Sequence, residues 1–231
     1  MNPPHPNEKH KSQRANWLRA AILGVDDGIV STSSIMLGLI AAQADVKIVI
    51  TTGAASLVAG AFSMAAGEYV SVSSQRDAEK ADIAIERRAL RDHPKAELAE
   101  LAAIYEGRGL THELAHQVAV QLQQKDAVGA HARDELGING RMRAHPWQAA
   151  FASSLAFSIG SLIPLLATII LGLNGSVTMI VISLAFLAVS GFVGAVIGGG
   201  NKIVAALRVL LGGGIAMAVT AFIGHVLGVN L

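Results

Sequence analysis

Five apolar stretches, each long enough to cross a bilayer as a helix, constrain this chain more than any other feature of its sequence. They cover about residues 18–44, 46–74, 147–173, 176–197 and 203–229, and a helical crossing needs about 20 predominantly apolar residues. Turns separate them around 43–47, at Asn174-Gly175 and at Gly198-Gly199-Gly200-Asn201. Of 231 residues, 52% are hydrophobic and only 4% aromatic, and the mean hydropathy is +0.48, too apolar for a soluble domain of this size. The expected fold is an all-α membrane protein with five transmembrane helices and a helical domain inserted between the second and third spans. Its expected organisation is a flexible polar N-terminal tail (1–16), the first two spans (17–74), the inserted domain (75–143) and the last three spans (144–231).

Charge is confined. Twelve of the 17 acidic residues fall between 75 and 143. Apolar residues in that segment recur at helical spacing (Ile83, Ile85, Leu90; Leu98, Leu101, Ile104; Leu114, Val118, Leu122), and no alternating strand pattern is present. The second span is expected to continue unbroken as helix to His93-Pro94, with Gly107, Gly109 and Gly137 as later breaks and Thr111 as an N-cap. With the N-terminus in the cytoplasm, 17 of the 18 Lys and Arg lie on the cytoplasmic side or in a span's cytoplasmic end, Lys47 alone falling outside. That topology satisfies the positive-inside rule and leaves the C-terminus outside. The pairs Gly194/Gly198 and Gly224/Gly228 allow close helix approach, within one subunit or at a dimer seam. Pro164 removes one backbone hydrogen bond from the third span, a local kink.

Acids inside the spans carry the chemistry. Asp26 and Asp27 lie in the first span and Glu68 in the second, where an acidic side chain costs roughly 2.5–3.5 kcal/mol on insertion scales. No Lys or Arg in these spans stands at comparable depth, so a bound cation or a proton is the natural compensation. Met64, one turn before Glu68, shares its face. A thioether beside a carboxylate suits a borderline transition metal, while the same methionine also fits as core or lipid-facing filler. Gly60, Ser63, Gly67 and Ser71 make one side of the second span polar enough to border a path. A carboxylate that releases a metal ion can take up a proton in its place, so exchange of metal for protons is a reasonable chemistry. Cysteine is absent, so any metal is held by carboxylate, imidazole, thioether or carbonyl groups.

A second acidic set lies in the charged segment. Glu79, Asp82 and Glu86 follow at spacings of three and four, and Glu97 and Glu100 are three apart, which crowds like charge on single helical faces. Only Glu79 has a basic neighbour one turn away, Arg76. Acids kept for solubility alternate with Lys or Arg, so the pattern favours a cation site over a solvated acidic face. Glu135, with His131 one turn earlier, is placed to complete it. His112-Glu113-Leu114-Ala115-His116 matches the HExxH of zinc proteases, but no strand lies nearby to align a substrate, and the short motif arises easily in a segment rich in Glu and His. Glu113 with His116 is half of a di-iron carboxylate motif whose second half is missing.

At Asp27-Gly28-Ile29-Val30-Ser31-Thr32, Ser63-Met64-Ala65-Ala66-Gly67-Glu68-Tyr69-Val70-Ser71-Val72, Gln75-Arg76-Asp77 and Ile163-Pro164-Leu165-Leu166 the chain resembles the vacuolar iron transporter family in its bacterial form. The resemblance implies a homodimer with a path between subunits, a cytoplasmic helical metal-binding domain, and proton-driven export of Fe(II), with Mn(II) as a second cargo, across the cell (inner) membrane. It places Asp27, Met64 and Glu68 on the path and Glu86, Glu97, Glu100 and Glu135 around cytoplasmic metal. Asp26, Glu79, Asp82 and His131 are further candidates on the residue pattern. Two positions depart from the family pattern: Ala89 stands where another Glu is often found, and His131-Ala132 where a Met pair commonly precedes the final Glu. The partners implied are the bilayer, metal ions, protons and a second copy of the chain, with no nucleic acid and no prosthetic group. Two other classes of function remain from the residues alone: a membrane zinc protease using the HExxH string, and a metal-responsive scaffold without flux.

Overall fold

The computed structural model describes residues 15–138, 145–173 and 176–229. Nearly all of the expected N-terminal tail, the Asn174-Gly175 break, residues 139–143 of the charged segment and Ala144 after it lie outside the described residues. The described elements are all helices: α1 (Ala15–Ala41), α2 (Val46–Asp92), α3 (Pro94–Gly107), α4 (His112–Asp134), α5 (Pro146–Leu171), α6 (Ser176–Gly198) and α7 (Lys202–Val229). Among them α1, α2, α5, α6 and α7 are long and apolar enough to cross a membrane. The chain is thus an all-α integral membrane protein with five spans. It divides into two compact units, one of residues up to 69 with those from 147 onward, the other of residues 70–146.

The turns follow local chemistry. Gln43 takes φ 61° after α1, and Asp45 starts α2 by accepting the Lys47 N–H at 2.8 Å. Gly199, at φ +83°, ends α6, and Asn201 Oδ1 accepts from the Ile203 and Val204 amides, both at 3.1 Å, to open α7. Helix α2 stops at Asp92 because Pro94, at the first turn of α3, disfavours helical backbone at His93.

In the membrane unit, glycines set the helix crossings. A Cβ on Gly28 would meet the Phe157 carbonyl oxygen of α5, and one on Gly160 would meet the Val25 carbonyl oxygen of α1, so these two helices touch backbone to backbone. Ser161 Oγ donates to the Gly28 carbonyl at 3.2 Å across the same crossing. Gly224 and Gly228 of α7 lie in the same way against Gly38 of α1 and Ala42 just after it. That pair therefore serves packing within one chain, which decides between the two uses its spacing allows. Gly194 faces the Ile22 side chain, and Gly198 faces open space. Ile29, Met36, Val49, Met179, Leu187 and Met217 fill the centre, while Phe151, Ile170, Val177, Ile203 and Phe222 are exposed, as lipid-facing residues are. Pro164 is buried within α5, which continues through it to Leu171.

The second unit packs the end of α2, α3 and α4 with Leu101, Ala102, Ala119 and Ala130 at its centre. Thr111 caps α4, its hydroxyl accepting from Leu114 N at 3.4 Å. Helix α4 is broken at Asp126 (φ −164°, ψ 88°), whose Oδ1 accepts the Gly129 N–H at 2.9 Å and so caps a new helical segment.

Candidate functional site

Asp27 on α1 and Met64 on α2 line one cavity of ≈ 550 Å³ in the membrane unit. Ser31, one turn beyond Asp27, and Thr52, Ser56 and Ser63 on α2 add hydroxyls to its wall, and Phe157 of α5 closes one side. The α2 residues recur at helical spacing, so one face of that helix carries the polar lining. Gly60 belongs to the same face: a Cβ there would meet the Phe157 ring, so glycine is what lets the ring approach α2. Among the described residues, no hydrogen bond or ion pair reaches the Asp27 carboxylate. A cation in the cavity would find an anionic oxygen, a polarisable sulfur and neutral hydroxyls in place of part of its hydration shell.

Other membrane candidates are placed differently. Glu68 is half-buried one turn beyond Met64 but does not line the cavity. Its neighbour Tyr69 packs on Trp147, with ring centroids 4.8 Å apart. Asp26 does not line the cavity either; its Oδ1 is buried with no hydrogen-bond partner among the described residues. Thr52, Ser56 and Phe157 escaped the sequence reading. The first two extend the Gly60-Ser63-Gly67 face backward at intervals of four, a signal present in the sequence; Phe157 comes from a distant helix and carries none.

In the second unit, Glu86 of α2, Glu97 of α3 and His131 of α4 converge, with one potential ligand atom from each inside a 4.8 Å span. All three are buried. His131 Nδ1 lies 3.1 Å from Glu86 Oε1, 3.8 Å from Glu97 Oε2 and 3.0 Å from Glu135 Oε2. Glu86 Oε1 nonetheless has no hydrogen-bond partner among the described residues. Burial pushes the Glu86 carboxyl above its ordinary range; His131 offsets this in part, and Glu135 and Glu97 add to it. Such a cluster holds more negative charge than its own imidazole can balance, and two or three carboxylates with an imidazole suit a divalent transition metal.

The remaining acids stand apart from this cluster. Glu100 is exposed although it is three residues from buried Glu97. Asp82 is exposed, and half-buried Glu79 accepts from Gln75 Nε2 at 2.9 Å rather than pairing with Arg76. His112 and His116 are both exposed, and His112 Nδ1 lies 2.6 Å from Glu106 Oε1. The HExxH residues thus lie on a solvated face with one imidazole already engaged outside the motif.

A sequence profile of the VIT family matches residues 18–225. The chain is 43% identical over 230 residues to a vacuolar iron transporter of Acanthamoeba castellanii, covering 97% of this chain and 84% of that protein. It is 36% identical over 211 residues to vacuolar iron transporter homolog 2.1 of Arabidopsis thaliana, covering 90% and 80%. VIT-like transporter 1b of Glycine max is 33% identical over 230 residues, covering 97% and 83%. Five apolar spans, an acid and a thioether on one intramembrane cavity, and likeness over nearly the full length lead to one conclusion: the chain belongs to the VIT family, and it is a membrane transporter of metal rather than an enzyme.

Proposed function

We propose that this protein exports Fe(II), with Mn(II) as a second cargo, from the cytoplasm in exchange for protons. The observation that carries the reading is the Asp27 carboxylate, without a hydrogen-bond or ion-pair partner among the described residues, on a cavity wall that also presents Met64 and four hydroxyls. An acid kept in a span without a basic partner needs a cation or a proton, and alternation of the two at one carboxylate couples their movements. The names of the relatives, vacuolar iron transporters, support iron as the cargo. The distribution of Lys and Arg supports a cytoplasmic N-terminus and a C-terminus outside, in a cell (inner) membrane. On that topology residues 75–143 form a cytoplasmic metal-binding domain, where Glu86, Glu97, His131 and Glu135 gather ions for the path. Asp27 is exposed in the single chain, and a second copy covering that face would remove it from lipid, which supports a homodimer with the path between subunits. Glu68, one turn from Met64, extends the path along α2.

The test is flux. Purified protein in liposomes with an imposed pH gradient is expected to carry Fe(II), followed by a chelating fluorophore, while Asp27→Asn and Glu68→Gln variants are slowed severely. Equal rates for wild type and both variants refute the assigned path, and Fe(II) flux indifferent to the pH gradient refutes the exchange.

A further inference from the structure

Residues eight apart in one straight helix stand about 12 Å apart along its axis, yet Gln123 Nε2 and His131 Nε2, both on α4, are 3.0 Å from each other. The break at Asp126 makes this possible: its extended backbone turns the chain, its carboxylate caps the segment that follows, and His131 is carried back over Gln123. The imidazole is fully buried and engaged at both nitrogens, Nε2 by Gln123 and Nδ1 by Glu135 at 3.0 Å.

We propose that Gln123 is a positioning residue for His131, which aims Nδ1 at Glu86 and Glu97 and makes this cluster a mixed carboxylate and imidazole site. The inference rests on the reading of the cluster as a metal site. Its physical basis is the hydrogen-bonding capacity of a primary amide. A ring that carries its proton on Nδ1 and donates it to Glu135 leaves Nε2 as an acceptor, which the Gln123 amide N–H at 3.0 Å satisfies. A metal ion on Nδ1 needs the lone pair there, so the ring proton must move to Nε2. Rotating the Gln123 amide by half a turn then presents its carbonyl oxygen as the acceptor for Nε2–H. The number of protons on the ring is the same in the two arrangements. A partner that both donates and accepts therefore serves both states, which an apolar side chain at 123 cannot do. Partners of this kind beyond the ligands themselves typically contribute 10–100-fold to metal affinity.

Full-length protein in detergent, labelled with ¹⁵N-histidine, provides the test, with Co(II) as an air-stable divalent probe whose visible absorption reports its ligands. His131→Ala assigns the ring signals and tests the underlying site. Wild type without metal is expected to show His131 protonated at Nδ1, and Co(II) is expected to move the proton to Nε2. Gln123→Leu should lose the single-tautomer signature and weaken Co(II) binding about tenfold or more. Gln123→Glu, whose carboxylate accepts from Nε2–H, should hold the Nε2-protonated form even without metal and retain Co(II) binding. If His131→Ala leaves Co(II) affinity unchanged, the reading of a metal site at this cluster fails. If His131→Ala weakens binding while Gln123→Leu changes neither tautomer nor affinity, the metal site stands and the role of Gln123 is overturned. Equal loss of affinity in the Leu and Glu variants, with the wild-type tautomer kept in both, also overturns it, since it reduces Gln123 to packing.

Discussion

Replacing Asp134 by Asn removes the negative charge, and one of the two acceptor oxygens, that tie the end of α3 to the end of α4. Its carboxylate receives the Tyr105 hydroxyl at 2.8 Å and Arg108 Nη1 at 2.8 Å from across the unit, and Arg133 donates from the adjacent position through Nε at 3.1 Å and through Nη2. Burial acts to raise the pKa of this group, but the hydrogen bonds from Arg133, Arg108 and Tyr105 outweigh it and hold the carboxyl at about 2 against an ordinary 3.8. A difference from 3.8 to about 2, at about 1.36 kcal/mol per pKa unit, is equivalent to about 2.4 kcal/mol. Both arginine side chains are 47% exposed, so water screens them, and about 1 kcal/mol is the realistic contribution. Because the folded-state pKa is lowered, this stability is fully present above pH 3.8 and is lost as pH falls through about 2. Hydrogen exchange on the full-length protein reads it directly. In Asp134→Asn, amide protection in α3 and α4 should fall about fivefold at pH 7, the factor that about 1 kcal/mol represents, while α5, α6 and α7 stay unchanged. The gap between wild type and variant should close as the wild type is taken toward pH 2. Equal protection of α3 and α4 in the two proteins at pH 7 refutes the reasoning.

Two further outcomes follow from the geometry. Gly28→Val puts side-chain carbons into the Phe157 carbonyl at the α1–α5 crossing and should destabilise the protein by about 1–3 kcal/mol, seen as a lower midpoint of thermal aggregation in detergent; a midpoint equal to wild type would show that this crossing tolerates separation. Glu113→Gln should leave Fe(II) flux in liposomes at the wild-type rate, since Glu113 is exposed and outside both candidate sites, and abolished flux would return the HExxH string to the mechanism.

Much of the fold is legible in the sequence because its signals are local. Span length and hydropathy are properties of single helices, and the five crossings follow from them wherever the helices later pack. Thr111 caps α4 and Pro94 ends α2 through contacts within four residues, so both positions read directly off the chain. The candidate site was legible to a similar depth: Asp27 and Met64 stand out because an acid and a thioether are costly or unusual where they are, whatever surrounds them.

Convergence belongs to tertiary structure. Glu97 and Glu100 have equal claims by spacing, and only the rotation of α3 about its axis buries the first and exposes the second. Gly224 and Gly228 announce a close helix approach, but their partner, α1, is more than 180 residues away in the chain. His131 reaches Glu86 and Glu97 because α4 breaks at Asp126, an acid with no obvious mark of a cap inside a helical run. Amino-acid sequence by itself determined which segments are helices and which side chains are too polar for their surroundings, since hydropathy, caps and prolines act over a few residues. The meeting of Asp27 with Met64 and of Glu86 with His131 was decided by helix rotation and by one kink, quantities set by close packing across the whole unit, in which every helix constrains the others at once.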